Sequence, residues 1–334
     1  MAARLKQIRY RIEWLAIKSL TVIVPLLPRK GILHLANVLG SLAYRADAKG
    51  RHTALVNLEA VLGESHDEKQ RRAIAKQAYR DFARTMLDQF WSSRLTAENY
   101  QDYVEVHVED AEAIRRAQET GAIWVTPHYG NFEWTSLLMG FRGFPFTVVA
   151  QDFKNPLLTD LFRTNREVSG HQVIPQQGAM LRLFKTLKNG GHAAFLTDLT
   201  VKPSRTATII DCFGLKTCVT SLHAGLHRKI KLPIIPGYTT PLPDGKYRLN
   251  MLAPLDLDSE ASDQEIVQAC WNVFEQDIRE NPAPWLWMYK HWRYRPEEGG
   301  EKYPPYAQPS SKFSRLQKDL AQQGKNQSED GKKV

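Results

Sequence analysis

Two side chains able to move a proton stand five residues apart in the segment HYGNFE, residues 128–133. His128 follows a run of β-forming residues, and Glu133 opens a helical pattern. If both residues were helical, they would be separated by about 500° of rotation, leaving the side chains roughly 140° apart. A turn over 127–130, with Gly130 reversing the backbone and Asn131 as helix N-cap, would instead bring the carboxylate to the imidazole. The sequence therefore predicts a His128–Glu133 contact where a strand becomes a helix.

The chemistry that such a pair predicts is general base catalysis by His128. A carboxylate in contact fixes the tautomer of the ring and stabilises its protonated form. Since no Ser or Cys stands beside the pair, the nucleophile would be a hydroxyl or amine of the substrate. Two other interpretations stay open: Glu133 could only complement the helix dipole, with His128 an ordinary loop residue, or the pair could bind a metal. No third metal ligand is suggested nearby, so neither a metal nor a cofactor is expected.

Composition narrows the partners only in part. The chain has 334 residues, 43% of them hydrophobic, and a net charge of +9, so a real core and an anionic partner are both expected. Nucleic acid is disfavoured because aromatic residues are not interleaved with the basic ones and no nucleic-acid-binding motif is present. The three cysteines show no CxxC spacing, which favours free thiols in a reducing compartment.

The elements that would position the pair alternate between strand and helix from residue 104 to about 255. This alternation predicts an α/β fold with a mixed, mostly parallel sheet flanked by helices. The last two strands are separated by PLPDGK, which predicts a hairpin. The predicted strands are 122–126, 146–150, 172–174, 193–197, 206–212, 234–240 and 247–252. The predicted helices are 109–120, 131–141, 156–169, 178–189, 219–230 and 262–280.

The remaining segments give a domain plan of four parts. Residues 1–30 are predicted to form a membrane-anchor helix, because an apolar run over 14–27 has basic residues on both sides but is shorter than the ~20 residues a spanning helix needs. Residues 31–103 are predicted to form helices packed on the core, with one apolar stripe at positions 74, 78, 82, 86 and 90. The α/β domain covers 104–296. Few large apolar residues follow, so 297–334 are predicted to form a basic flexible tail.

At this point the sequence resembles a known family, the lipid A late acyltransferases (lauroyl and myristoyl transferases), within the wider H-x4-D/E acyltransferases. The resemblance rests on HYGNFE followed, in order, by further blocks at the family's spacing. These blocks are NPLLTDLFRTNREVSG, the strand AAFLTDLT that ends near Asp198, SRTATIIDCFG, and the Trp-rich ending WLWMYKHWRYRP. It covers the chain from its first residues to about residue 297.

The resemblance implies transfer of a fatty acyl group from acyl carrier protein, or from acyl-coenzyme A, to a hydroxyl of a membrane saccharolipid, most simply a lipid A precursor. The reaction would occur at the cytoplasmic face of the inner membrane. His128 would be the base and Glu133 its support, while the implied substrate-binding or oxyanion residues are Asn131, Arg163, Arg166, Asp198 and Arg205. Asp198 would order the site, and the arginines would bind the oxyanion or phosphates of the acceptor.

Some alternatives remain open alongside this reading. DLTVKP at 198–203 and Tyr289-Lys290-His291 depart from the family's usual segments. The acceptor could therefore be another glycolipid or a glycerolipid, or the protein could bind lipid without catalysis. Trp285, Trp287 and Trp292 are expected in the core or at a membrane interface rather than on a ligand.

Overall fold

Four α-helices precede the first strand in the part of the chain that the structure describes. The computed structural model describes the backbone of residues 2–330 and the side chains of residues 4–322. The helices are α1 (Ala2–Ile23), α2 (Arg29–Ala46), α3 (Ala48–Leu62) and α4 (Glu68–Trp91). Asp67 caps α4 through a capping box with Gln70, and Gly63 follows the last residue of α3 as its C-cap. Of the helices within residues 2–330, none is both long and apolar enough to cross a membrane.

The rest of the chain alternates strand and helix, as predicted. Its elements are β1 (Val104–Val108), α5 (Ala111–Thr120), β2 (Ala122–Thr126), α6 (Phe132–Phe141), β3 (Phe146–Ala150), α7 (Pro156–Glu167), β4 (Gln172–Pro175), α8 (Ala179–Lys188), β5 (His192–Leu196), β6 (Ala207–Cys212), β7 (Leu215–Thr220), α9 (Leu222–Ile230), β8 (Ile234–Pro241), β9 (Tyr247–Met251), α10 (Asp263–Glu280), β10 (Tyr294–Arg295), β11 (Gln308–Pro309) and α11 (Ser311–Asp330). The sequence prediction missed β1, β7 and the two-residue strands β10 and β11.

Seven strands form one sheet in the order β1-β9-β8-β2-β5-β3-β4. Every neighbouring pair is parallel except β8 and β9, which form the predicted antiparallel hairpin. The mixed, mostly parallel α/β fold is therefore confirmed. Because β2, β5 and β3 are parallel neighbours, their carboxyl ends meet at one edge of the sheet, where ligands of open α/β sheets bind.

Two hydrophobic clusters cover the two faces of the sheet. Successive residues of β2 alternate between them: Ile123 and Val125 belong to one cluster, Ala122 and Trp124 to the other. The first cluster includes side chains of α3, α8, α9 and α10, and the second includes side chains of α2, α5 and α6. The three cysteines are free and buried.

The predicted stripe on α4 is only partly right. Ala78 and Phe90 are buried, but Phe82 is 37% exposed. A spacing of four residues advances about 40° beyond a full turn at each step, so a long run of such positions winds around the helix. The buried face of α4 also carries polar residues, among them Thr85 and Asp88.

The predicted flexible tail also differs from the structure. Beyond residue 296 the chain forms β11, which pairs with β10, and then α11. Phe313 is completely buried in a small cluster with Ala207 and Ile209, and Leu316 packs against it. The apolar residues of α11 are few but spaced for one face, and a judgement from composition overlooks such a sparse stripe.

Candidate active site

His128 lies just beyond the carboxyl end of β2, in a loop that the surrounding structure holds from two sides. The Gly130 N–H donates to the Pro284 carbonyl at 3.1 Å, and the Thr85 hydroxyl donates to the Gly130 carbonyl at 3.1 Å. Gly130 has a φ of +57°, and a Cβ there would lie 1.7 Å from the Thr239 carbonyl oxygen, so only glycine fits this turn. The loop therefore presents the imidazole from a fixed backbone.

The carboxylate that contacts His128 is Asp198. His128 Nδ1 lies 2.7 Å from Asp198 Oδ1, and the His128 backbone N–H donates to Oδ2 at 2.9 Å. Asp198 follows β5 as His128 follows β2, and the two strands are parallel neighbours. An ionised carboxylate only accepts hydrogen bonds, so Nδ1 carries the proton and Nε2 is left as the acceptor. The ring is nearly buried, with 12% of its side chain exposed.

Asp198 is completely buried and stays ionised. Burial acts to raise the pKa of this carboxyl, but the charge and hydrogen bonds of His128 outweigh it and lower the pKa to about 2. The Trp285 indole N–H also donates to Asp198 Oδ2, at 2.9 Å. His291 stacks on Trp285 with ring centroids 3.9 Å apart, and burial lowers the pKa of His291 to about 4, so this second ring is neutral near pH 7.

The predicted His128–Glu133 contact is wrong. Glu133 accepts two hydrogen bonds from Arg166, from Nε at 3.2 Å and from Nη2 at 2.7 Å. Glu133 lies in the first turn of α6, so its side chain faces α7, whereas the adjacent strand end already supplies His128 with a carboxylate. Burial acts to lower the pKa of Arg166, but the charge and hydrogen bonds of Glu133 together outweigh burial and raise this pKa.

Asn131 caps α6 as predicted, but its placement among the substrate-binding residues is wrong. Its side chain is 0% exposed, and both ends are used: Oδ1 accepts from the Trp134 N–H at 3.0 Å, and Nδ2 donates to Asp88 at 3.1 Å. A side chain so enclosed cannot reach a substrate. It acts on the site by fixing where α6 begins.

The other two arginines are more exposed than Arg166. Arg163 lies one turn before Arg166 on α7, is 45% exposed and pairs loosely with Asp160 at 3.7 Å. Arg163 and Arg166 both line a depression of about 290 Å³. Arg205 is exposed in the loop that begins with Asp198.

A largely apolar cavity of about 640 Å³ opens at the same edge of the sheet. Glu133 and Arg166 line it, together with Phe132, whose ring centroid lies 5.0 Å from that of His128. Its walls include Trp124, Met139, Phe146 and Ala194, all from the sheet or α6. The volume lies within the range of small-molecule sites, and the apolar lining suits a hydrocarbon chain. Within residues 4–322, no group of His, Cys, Asp and Glu side chains could hold a metal ion.

Sequence reasoning missed two neighbours of the pair, Trp285 and His291. Both lie in the Trp-rich ending, which was expected in the core or at a membrane interface. The signal was available in that segment: a buried indole N–H needs an acceptor, and a carboxylate is the strongest acceptor a core can offer.

A buried His–Asp pair thus lies beside an apolar cavity, and comparison with known proteins identifies the chain as an acyltransferase. A family model described as bacterial lipid A biosynthesis acyltransferase matches residues 1–294, so the chain belongs to this family. The family implies an acyl donor and a lipid acceptor.

Individual relatives are distant. The chain is 26% identical over 301 residues to the lipid A biosynthesis lauroyltransferase of Escherichia coli (strain K12), covering 88% of this chain and 95% of that protein. It is 21% identical over 200 residues to a lipid A biosynthesis acyltransferase of Haemophilus influenzae, covering 59% and 60% of the two chains. It is also 26% identical over 176 residues to a phosphatidylinositol mannoside acyltransferase of Mycobacterium tuberculosis, covering 52% and 54%.

Proposed function

We propose that the protein transfers a fatty acyl group from a thioester donor to a hydroxyl of a lipid A precursor, with His128 as general base and Asp198 as the carboxylate that orients it. The observation that carries this proposal is the His128–Asp198 pair beside an apolar cavity in a member of this family. Acyl carrier protein is the proposed donor, with acyl-coenzyme A as the alternative.

The reaction follows from the protonation states in the pair. Nε2 of His128 takes the proton of the acceptor hydroxyl as its oxygen bonds to the thioester carbon. Asp198 stabilises the imidazolium that forms. The tetrahedral intermediate then collapses, the carbon–sulfur bond breaks, and the imidazolium returns its proton to the departing sulfur. The products are the acylated lipid and the free thiol of the donor.

Arg166 is the proposed donor to the charge that develops on the thioester oxygen. Glu133 engages its Nε and Nη2, and Nη1 makes no hydrogen bond to any residue within 4–322. Glu133 thereby holds a guanidinium at the cavity with one nitrogen free for substrate. Arg163 and Arg205, which are more exposed, would bind acidic groups of the acceptor.

The N-terminal helix is the proposed contact with the cytoplasmic face of the inner membrane. Leu5, Ile8, Ile12 and Leu15 are each about half exposed or more, and they recur every three or four residues on α1. Such a stripe with basic neighbours suits a helix that lies in the surface of an anionic bilayer. The helix is fastened to the catalytic domain, since Asn155 donates to the Tyr10 carbonyl at 2.9 Å.

A purified-enzyme assay tests the proposal. The enzyme is given acyl carrier protein or coenzyme A loaded with lauroyl or myristoyl groups, and one of two acceptors, a lipid A precursor or a phosphatidylinositol mannoside. Products are identified by mass spectrometry. His128→Ala should lower kcat/KM by about 10²- to 10⁴-fold, the range for a general base. His107→Ala, at an exposed position on β1, is the matched control.

Each outcome of the assay has a distinct meaning. Transfer only to the mannoside would overturn the choice of acceptor, for which the mycobacterial relative gives the alternative, and leave the chemistry standing. Full activity of His128→Ala would overturn the catalytic assignment. Binding of lipid with no transfer from any donor would mean a lipid-binding protein on an acyltransferase fold.

A further inference from the structure

A second buried carboxylate, Asp88 of α4, stands beneath the loop that carries His128. Its side chain is 0% exposed and lies at the centre of a polar cluster. Arg29 binds both of its oxygens, Asn131 Nδ2 donates to Oδ2 at 3.1 Å, and the Tyr247 hydroxyl donates to the same oxygen at 2.9 Å. The Asp88 backbone carbonyl also accepts from the Trp134 indole N–H at 3.1 Å. One residue thus joins α2, α4, α6 and β9.

Arg29 enters this cluster from the end of the N-terminal segment. It is the first residue of α2, and the short turn before it is tied to α4, because the Trp91 indole N–H donates to the Leu27 carbonyl at 3.1 Å. The guanidinium lies 5.0 Å from the centre of the Trp134 ring and 5.3 Å from that of Trp91. Burial acts to lower the pKa of Arg29, but Asp88 raises it, so the arginine stays charged.

The amide of Asn131 can point only one way while Asp88 is a carboxylate. A carboxylate accepts hydrogen bonds and donates none, so it selects the amide nitrogen. The amide oxygen is then directed to the Trp134 N–H, the bond that starts α6. Glu133 lies between Asn131 and Trp134 in the chain, and the Phe132 ring lies beside the imidazole of His128. The orientation of the Asn131 amide therefore affects both the proposed base and the contact between Glu133 and Arg166.

We propose that Asp88 is a positioning residue for acyl transfer: through Asn131 it fixes the start of α6, and through Arg29 it makes the placement of the N-terminal segment part of the active site. The inference rests on the proposed function, because it concerns the same reaction. Asp88 does not line the cavity, so this proposal gives α4 a role in catalysis as well as in folding.

A role in stability alone would explain the cluster less well. A buried ion pair commonly adds little net stability compared with apolar residues of the same shape, because desolvation offsets the attraction. The Asp88 carboxylate instead fixes the orientation of the Asn131 amide, because it accepts a hydrogen bond only from the amide nitrogen. An apolar neighbour would not distinguish the two ends of the amide.

The test compares Asp88→Asn with a matched control, Tyr247→Phe, in the full-length enzyme. Asparagine can donate as well as accept, so it no longer fixes the Asn131 amide. Phenylalanine removes a hydrogen bond from the same Asp88 oxygen but keeps the ring that packs against Trp134 of α6. We expect kcat, normalised to the folded fraction, to fall about 10²-fold in Asp88→Asn, the effect of a misplacement of about 1 Å. KM for the donor and the kcat of Tyr247→Phe should stay within about a factor of two.

Hydrogen exchange supplies a readout that does not depend on turnover. The amides of residues 131–135 should exchange faster in Asp88→Asn than in Tyr247→Phe. Unchanged kcat in folded Asp88→Asn, or equal exchange in both variants, would overturn the positioning role. If the wild type transfers no acyl group, the proposed function fails, and the exchange comparison still decides whether Asp88 holds the start of α6.

Arg29→Lys keeps the inference testable if Asp88→Asn does not fold. Lysine retains the charge but loses the two-pronged contact with the carboxylate. We expect a fall in kcat of about tenfold with faster exchange at residues 131–135. Wild-type kcat in this variant would contradict the link between the N-terminal segment and the site.

Discussion

The two carboxylates near His128 have different partners. Asp198 contacts the imidazole, while Glu133 holds Arg166 at the cavity. Each carboxylate is paired with a single basic group, and each pair can serve one side of the acyl-transfer transition state. The two acidic residues should therefore respond differently to the same conservative change.

Asp198→Asn should reduce kcat/KM by about 10²- to 10⁴-fold. An asparagine amide can donate to Nδ1, which would move the ring proton to Nε2 and remove the base. Glu133→Gln should cost less, because glutamine still offers Arg166 an acceptor. Steady-state kinetics of both purified variants check this order, and a larger loss in Glu133→Gln would restore Glu133 as the partner of the base.

His223 should make the protein less stable in mild acid. It is completely buried, neither ring nitrogen has a hydrogen-bond partner within the described residues, and burial lowers its pKa from 6.5 to about 4. Between those values the unfolded chain binds a proton that the folded one does not, so stability is lost as pH falls from about 6.5 towards 4.

Chemical unfolding at pH 6.5 and pH 5 measures this effect. The wild type should lose about 2 kcal/mol more than His223→Leu over that interval, from a slope of about 1.4 kcal/mol per pH unit. His107→Leu, at an exposed site, should behave as the wild type. Parallel pH profiles of the wild type and His223→Leu would show that His223 does not contribute.

At this scale the sequence identified the residues of the proposed site but not their pairing. His128, Asp198 and the cap Asn131 are all recognisable in the sequence, and the turn at Gly130 is confirmed. The partner of His128 could not be read from spacing, because Asp198 is 70 residues away and becomes a neighbour only when β5 pairs with β2. The short separation along the chain favoured Glu133 as the partner of His128. The pairing of β5 with β2 brings Asp198 to His128 instead.

Among the elements, β5 and α6 form walls of the cavity and should determine which acyl chains fit. Ala194→Phe on β5 would fill part of the cavity, and Met139→Ala on α6 would enlarge it. The first variant should favour shorter donors and the second longer ones. Each methylene that no longer fits costs about 0.8 kcal/mol, or about fourfold in kcat/KM.

A series of donors of increasing chain length measures that preference. The control is His107→Ala, an exposed position on β1 that does not line the cavity, and this variant should keep the wild-type preference for chain length. An unaltered length profile in both cavity variants would mean that the acyl chain binds elsewhere.

Strands in the middle of the large sheet were easier to predict than the edge strand β1 and the strand β7. Strongly apolar strands such as β2 and β3 are confirmed to the residue, since burial on both faces of a parallel sheet requires continuous apolar runs. The edge strand β1 was missed because it alternates exposed polar residues with Val104 and Val106. β7 was missed because Lys216 and two threonines interrupt its apolar pattern.

Considered as a whole, the molecule places apolar side chains where the cavity opens. Phe153, Leu157, Leu181 and Leu196 are each at least 40% exposed, and all lie at the ends of β3 and β5 or in the first turns of α7 and α8. These positions share the carboxyl edge of the sheet, and α1 packs against α7 beside them. This arrangement supports the proposal that the acyl acceptor enters the site from a bilayer.

Ile12→Asp should therefore weaken binding to vesicles that contain anionic phospholipid. Removing one large apolar side chain from the bilayer costs about 1.5–3 kcal/mol, or about ten- to a hundredfold in partition coefficient. Gln7→Asp adds the same charge away from the stripe and is the matched control. Sedimentation with vesicles measures both variants, and equal weakening would mean that charge rather than the apolar stripe governs the contact.

The groups that surround the reacting ring come from distant parts of the chain, from Thr85 to Trp285. During translation, His128 is therefore synthesised long before Trp285, whose indole N–H donates to Asp198. A nascent chain that has emerged only as far as α10 has its sheet but lacks one donor to Asp198 and the carbonyl that holds Gly130. Activity should accordingly begin late in translation, when nearly the whole polypeptide has left the ribosome.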